Sequence, residues 1–379
     1  MTLVYLDHAA STPMRERAVA AMVPFFTERF ANPSGSHRFA REARRAIDEA
    51  RDSVAAVIGV APGEVIFTGC GTESDNTVLA GVAGAAVCSA AEHHAVLHPV
   101  EHRRDGVVVG VDATGHVDLD QLAAACDHPD VGVVSVMTVN NEVGTVTDMA
   151  QVAAVVRERA PQAVLHTDAV QAPCWVDLRE ISPLVDAMSL SAHKFGGPKG
   201  VGVLTIRSGV DVAPLIVGGG QERERRSGTH NVAGIVGMTS ALVETDAGRG
   251  GEQERLTALR DRLVDTLTAA LDGVVETVPR DRKVAGSAHV CIAGVENEAL
   301  LFLLDEADVC ASAASACASG AMEPSHVLAA MGIERSLALG ALRLTLGHTT
   351  TPADVDRAVD VIVDSVTRLR RAARPEAAR

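Results

Sequence analysis

Up to about residue 245, short apolar runs alternate with longer stretches of helical period. The runs "EVIFT" (Glu64 to Thr68), "AAVCSA" (Ala85 to Ala90), "GVVVGV" (Gly106 to Val111), "VGVVSVMTV" (Val131 to Val139), "AVLHTDA" (Ala163 to Ala169), "DAMSLSAH" (Asp186 to His193) and "GVGVLTIR" (Gly200 to Arg207) read as strands. They are nearly continuous in apolar residues, as strands buried on both faces are. Between several of them lie helical patterns such as "DMAQVAAVVRERA", Asp148 to Ala160. Apolar strands alternating with helices predict an α/β fold with a parallel sheet covered on both faces. The segment "HRFAREARRAIDEARDSVAAVIG" predicts one long amphipathic helix, stopped at Gly59 ahead of Pro62.

After about residue 245 the texture changes. Two long helical stretches, around Arg255 to Leu271 and Ala353 to Arg371, flank weaker strands at "SAHVCIAG" and "ALRLTLG". This predicts a second, smaller α/β domain. The length of 379 residues and the 47% apolar content suit one large or two moderate domains. With aromatics at only 2%, the core must be built from Ala, Val, Leu and Ile.

The net charge of −15 argues against tight direct nucleic-acid binding, which needs a basic surface. Seven cysteines, an odd number without regular spacing and without a Cys-x-x-Cys pair, are no disulfide framework. No apolar run reaches the ~18 residues of a membrane span, and "MTLVYLDHAA" lacks the regions of a signal peptide. The expectation is a reduced, cytoplasmic protein.

Several residues carry candidate chemistry. Lys194, in "SLSAHKFGGPKGVGVL", follows a strand and precedes glycines. It reads either as a surface lysine in a turn or as a buried amine reactive towards carbonyls. Asp168, in "HTDAVQA", ends a strand, where open α/β sheets place ligand groups. It either caps the next turn or pairs with a cofactor's ring nitrogen. In "FTGCGTESDN" a strand enters a glycine turn and leaves through Thr72 into a helix. That is a phosphate cradle, or a plain N-cap at Thr72 with Asp75 in the first turn. No P-loop pattern is present. His94, His98 and His102 repeat every fourth residue, but Pro99 interrupts them and no metal is expected. His93 reads instead as an acid/base group or a ring stacked on a cofactor. A lysine, a strand-end aspartate and a phosphate cradle together describe a pyridoxal 5'-phosphate site.

The order of motifs resembles the cysteine desulfurases of the NifS/IscS type within the class V aminotransferases. The likeness runs from "YLDHAASTP" through "NPSGSHRFAREA", "GTESDN", "EHHAVL", "VNNEVGT", "TDAVQA", "SAHKFGGPKGVG", "GGGQERERRSGT" and "SACASGAMEPSHVL" to "LRLTLGHTT". The resemblance implies a fold-type I pyridoxal phosphate-dependent transferase and a homodimer. It implies a large cofactor-binding domain over 14–245, and a small domain of 1–13 with 246–379. Lys194 matches the Schiff-base lysine, Asp168 the partner of the ring nitrogen and Gln171 the group near the ring hydroxyl. Thr72, Ser191 and His193, with the backbone of Gly71, match phosphate ligands, and Thr229 matches one supplied by the other subunit. His93 matches the ring that stacks on the cofactor. Asn141 and Arg343 match substrate contacts, Arg343 holding the carboxylate.

Cys317 matches the catalytic cysteine, with Ala314 and Ala318 standing where the family commonly has Gly and Thr. Cys70, Cys88, Cys126, Cys174 and Cys291 read as packing residues. So does Cys310, for which a secondary sulfur-acceptor role is the alternative. The implied reaction takes L-cysteine to L-alanine and passes the sulfur, as a persulfide on Cys317, to acceptor proteins. Such acceptors serve iron–sulfur cluster assembly (a scaffold protein), tRNA thiolation or DNA phosphorothioation. Rival readings are a selenocysteine lyase or another class V aminotransferase, and, in a different class, a non-catalytic sulfur-carrier scaffold.

Overall fold

The computed structural model describes residues 3–313 and 325–373. Its strands are β1 (Val4–Tyr5), β2 (Val65–Thr68), β3 (Ala85–Ser89), β4 (Gly106–Val109), β5 (Val131–Ser135), β6 (Val164–Asp168), β7 (Ala187–Ser191), β8 (Gly202–Ile206), β9 (Val274–Glu276), β10 (Ser287–Ile292), β11 (Val309–Cys310) and β12 (Ala341–Thr345). Strands β2 to β8 form one seven-stranded sheet in the order β2-β8-β7-β6-β5-β3-β4.

Alternate residues of these strands feed two separate cores, the consequence of a period of two in a sheet covered on both faces. Phe67, Val87, Val134, Leu165, Met188 and Val203 enter one core. Their neighbours Ile66, Ala86, Val133, Ala187 and Leu204 enter the other, together with Val78 and Leu79 of the helix Gly71–Gly81. The sheet is mainly parallel, not wholly so. β8 runs antiparallel to both β7 and β2. Its connection from β7 is a short turn through Ala192–Lys194 and glycines, and only a crossover could have returned the chain parallel.

The helix Arg38–Ile58 ends as expected, with Gly59 in the left-handed conformation at φ 83°. The 39-residue helix Val232–Ala270 is longer than the pattern suggested, because Gly248, Gly250 and Gly251 hide its middle. A Cβ at any of these three would meet open space, so they are exposed helix positions. Position 245 therefore lies inside a continuous helix. Its first half packs on Glu16–Met22 and Arg38–Ile58, its second on Pro352–Ala372.

A further core gathers Leu259, Leu263, Val290, Leu344 and Ile362 around the three-stranded sheet β12-β10-β9. Val4 and Leu6 join this core because β1 pairs in parallel with β11. No helix among the described residues is long and apolar enough to cross a membrane.

The loop after β8 carries the most strained backbone. Glu222, Arg223 and Glu224 have φ of 50°, 58° and 66°, a region that costs non-glycine residues about 1 kcal/mol or more each. A buried ion pair anchors it. The Glu222 carboxylate accepts from both Arg51 Nη atoms at 2.7 and 2.8 Å and from the Phe67 amide at 3.1 Å, and it pairs with His230 Nε2 at 2.7 Å. Burial alone would raise the Glu222 carboxyl, but the hydrogen bonds from His230 and Arg51 bring it from the usual 4.5 down to about 2.

Its stabilising effect is therefore complete above about pH 4.5 and is lost as pH falls towards 2. Glu222→Ala leaves Arg51 buried without its partner and should lower stability by about 3 kcal/mol at pH 7. Denaturant unfolding of wild type and variant should show that gap, and show it narrowing as the pH falls below 4.

Candidate active site

A cleft of about 190 Å³ opens at the carboxyl ends of β6 and β7, where the helix Gly71–Gly81 starts. Its position follows from the connections. β2 ends at Thr68 and the chain turns through Gly69 and Cys70 into that helix. Cys70, not Thr72, is the N-cap, its Sγ accepting from the Glu73 amide at 3.4 Å. Thr72 thus lies in the first turn and lines the cleft.

Gly71 makes the arrangement possible. A Cβ there would sit 2.6 Å from Val170 Cγ2 and 3.5 Å from Ser191 Cβ. The helix start is therefore pressed against the turn that follows Asp168. Amides at a helix N-terminus beside the hydroxyls of Thr72 and Ser191 are a donor set for an anion.

Asp168 ends β6 and is buried, its Oδ1 accepting from the Val170 amide at 2.9 Å. It both caps the turn and lines the cleft. Burial raises its carboxyl, against the pull of that amide and of Lys194.

Lys194 ends the turn after β7, and its Nζ donates to the carbonyls of Ala9 at 2.5 Å and Ala10 at 3.0 Å. Burial, aided by the charge of Arg343, lowers the Lys194 amine from 10.5 to about 8. Gln171 donates to the same Ala9 carbonyl at 2.8 Å, and His193 Nδ1 lies 3.3 Å from Ser11 Oγ.

The His93 ring is open to the cleft on one side, yet burial and the charge of Lys194 lower it to about 4. Its Nδ1 accepts from the Ala95 amide at 3.1 Å, so the neutral ring carries its proton on Nε2.

Asn141 lines the cleft, and its carbonyl accepts from Arg343 Nη1 at 2.9 Å. Arg343, on β12, is buried. Its Nη2 meets Asp7 Oδ1 at 2.8 Å, while its Nε is buried without a partner. Arg343 does not itself line the cleft, and Nε is its unspent donor.

Thr229 is exposed and lies outside this cleft. Cys317, with Ala314 and Ala318 beside it, lies outside the described residues. The described residues on either side of that segment are tied close to the site. Ser312 exchanges two backbone hydrogen bonds with Arg343, at 3.2 and 2.7 Å. His326 Nε2 lies 3.0 Å from the Glu92 carbonyl, and its ring centroid is 4.6 Å from that of His94.

Sequence reasoning missed three residues. Cys70, which the sequence pattern marks as a packing residue, lines the cleft, because the N-cap falls two residues earlier than Thr72. Asp75 also lines it, from the second turn of the helix. Asp7, whose only signal was its place in "YLDHAA", holds Arg343. Pro99 does not stop the helix His94–Glu101, and the His94 and His98 rings stack at 4.6 Å. Among the described residues no group of His, Cys, Asp and Glu could hold a metal ion.

Residues 4–358 match the family described as Aminotransferase class-V. The IscS-like cysteine desulfurase of Mycobacterium tuberculosis is 44% identical, over 98% of this chain and 98% of that protein. A solved NifS-like protein superimposes with a TM-score of 0.91 at 34% identity, covering 97% of this chain and 100% of its own. SspA, solved in complex with cysteine, has a TM-score of 0.80 at 30% identity, over 91% of this chain and 99% of its own.

The chain belongs to the class V aminotransferases, among the IscS/NifS cysteine desulfurases. That family implies pyridoxal phosphate, and the cleft's donors fit it. The helix start with Thr72 and Ser191 suits the phosphate, Asp168 the ring nitrogen and Lys194 the aldehyde.

A lysine attacks a carbonyl as the neutral amine. Attachment of the cofactor to the apo-protein should therefore accelerate as pH rises and level off above about 8, not near 10.5. Absorbance of the attached cofactor followed against pH measures this, and Lys194→Ala should show no attached species.

Proposed function

We propose that this enzyme converts L-cysteine to L-alanine and carries the sulfur as a persulfide on Cys317 to acceptor proteins. The observation that supports this most directly is the backbone pairing of Ser312 with Arg343. Ser312 precedes Cys317 by five residues in the sequence, which supports a sulfur acceptor near a substrate held at Arg343. The cysteine bound to SspA, a relative of the same fold, supports the choice of substrate.

Bound pyridoxal phosphate supplies the electron sink that makes the substrate's C–H and C–S bonds breakable. The chain does the rest. Arg343 Nε and the Asn141 side take the substrate carboxylate. Lys194, with its amine poised near neutral pH, removes the Cα proton and later returns it. Asp168 holds the proton of the ring nitrogen, and His93 Nε2–H assists proton transfer beside the substrate thiol.

The Cys317 thiolate attacks the substrate sulfur. An S–S bond forms, the C–S bond breaks, and its electron pair stays with carbon until a proton completes L-alanine. In balance, L-cysteine and one thiol give L-alanine and one persulfide.

Further features belong to the same reading. The enzyme acts in the cytoplasm as a homodimer, and Thr229 serves the partner's phosphate site, in keeping with its exposure outside its own cleft. Residues 14–245 form the large domain, and 1–13 with 246–379 the small one. The acceptors belong to iron–sulfur cluster assembly, tRNA thiolation or DNA phosphorothioation. The charge of −15 favours a protein acceptor over nucleic acid.

Alanine and protein-bound persulfide should both form from L-cysteine with wild type, and neither at a comparable rate with Cys317→Ala. Equal production by the variant would remove Cys317 from the reaction. Arg343→Ala should raise the KM for L-cysteine by about tenfold or more, the loss of a charge-assisted carboxylate contact. An unchanged KM would move the carboxylate site elsewhere.

A further inference from the structure

Around Asp168 lies a buried polar layer whose other members the reaction above does not use. The period of two along β6 puts His166 and Asp168 on one face of the sheet, the face on which the helix Gly71–Gly81 packs. Register neighbours complete the layer, with Ser135 opposite His166 and Ser189 opposite Asp168. His166 is fully enclosed. Its Nδ1 lies 2.8 Å from Ser135 Oγ and its Nε2 2.9 Å from Ser189 Oγ. Burial lowers this imidazole to about 3, so it is neutral and brings no positive charge.

Asp75 reaches into this layer from the helix. It is 1% exposed and lines the same cleft as Asp168, yet its Oδ1 has no hydrogen-bond partner. His166 Nε2 stands 3.6 Å from that oxygen, beyond hydrogen-bond reach. Glu92, buried in the turn after β3, also has an unpartnered oxygen, Oε2. The groups facing Asp75 are therefore Asp168 and His166 from β6, Ser189 from β7, Glu92, and Cys70 at the start of its own helix. None of them is a cation. A buried carboxylate kept without a positive partner is costly, and like charges around it add to that cost. Such a group is explained by a cation that the protein is built to receive.

We propose that Asp75 is a positioning residue that acts through Asp168, deepening the negative potential behind it so that the bound cofactor keeps a proton on its ring nitrogen. The proposal rests on the reading of this cleft as the pyridoxal phosphate site. It makes the grip on the ring nitrogen a property of two carboxylates in depth, with Glu92 behind, rather than of Asp168 alone. It also separates two effects that usually move together. Asp75 burdens the empty protein and strengthens the loaded one.

The test is Asp75→Asn, which keeps the shape and removes the charge, with Asp75→Ser as the second neutral variant should the first not fold. The dissociation constant for pyridoxal phosphate is measured from pH 5 to pH 8.5 by equilibrium dialysis, and the melting temperature of the apo-protein by circular dichroism. The expected result is weaker binding by about tenfold at the upper end, the effect of one nearby charge. The ratio of variant to wild type should shrink towards one as the pH falls and the carboxylate, its proton affinity raised by burial, takes up a proton, and the apo-protein should melt higher than wild type. A ratio that does not change with pH, or an apo-protein that melts lower, would show Asp75 to be merely structural and overturn the proposal. Wild type that binds no pyridoxal phosphate would instead overturn the reading of the cleft itself.

Discussion

The site depends on the crossing of the N-terminal segment between the two sheets. β1 pairs with β11, and the chain then runs over the cleft to Thr12, whose amide bonds to the His193 carbonyl. On the way Asp7 takes Arg343, the Ala9 carbonyl takes both Lys194 and Gln171, and Ser11 meets His193. Residues from β6, β7 and β12 are thus set relative to one another by one short stretch. The large sheet alone would present Lys194 and Asp168. It would not fix them against Arg343.

Burial then drives the site towards neutrality from both sides. It lowers the Lys194 amine and the His93 and His193 rings, and raises the Asp168 and Asp75 carboxyls. Near neutral pH the Lys194, Asp168 and Asp75 shifts cost stability, because burial disfavours the charged forms these groups hold in the unfolded chain, whereas the histidine shifts cost stability only in acid. The pyridoxal phosphate that the family implies would bring complementary charges, an anionic phosphate and a ring cation. The helix start and the buried acids fit such charges.

Much of this was legible in the sequence, for identifiable reasons. Strands buried on both faces write themselves as apolar runs, so β2 to β8 were found nearly in full. Lys194, Asp168, Thr72 and Ser191 sit at strand ends or helix starts, which turn residues mark. What stayed hidden was set by contacts between distant segments. The antiparallel course of β8 depends on the length of a turn, not on its own residues. The helix Val232–Ala270 was cut short in the reading because exposed glycines lower helix propensity without breaking a helix held by packing. Asp75 was read as a first-turn residue because the N-cap is a cysteine, a residue with little capping preference. Asp7 carries no local signal, since its partner Arg343 lies 336 positions along the chain.

The loop that carries Thr229, a residue exposed outside the cleft, poses a different problem. Its left-handed run at Glu222 to Glu224 is unfavourable in isolation, and its neighbours Leu215 and Val217 are exposed. Yet anchors for it lie within the chain. Arg51 and the Phe67 amide hold Glu222, and Arg226 holds Glu73, whose Oε2 also accepts from the Gly69 amide at 2.8 Å. Gly69 and Glu73 lie at the same helix start that lines the cleft. The strain is thus offset by contacts within the chain, and the shape of the loop is tied to that helix start. Two ion pairs, Arg51 with Glu222 and Arg226 with Glu73, therefore couple the loop that carries Thr229 to the geometry of the cleft.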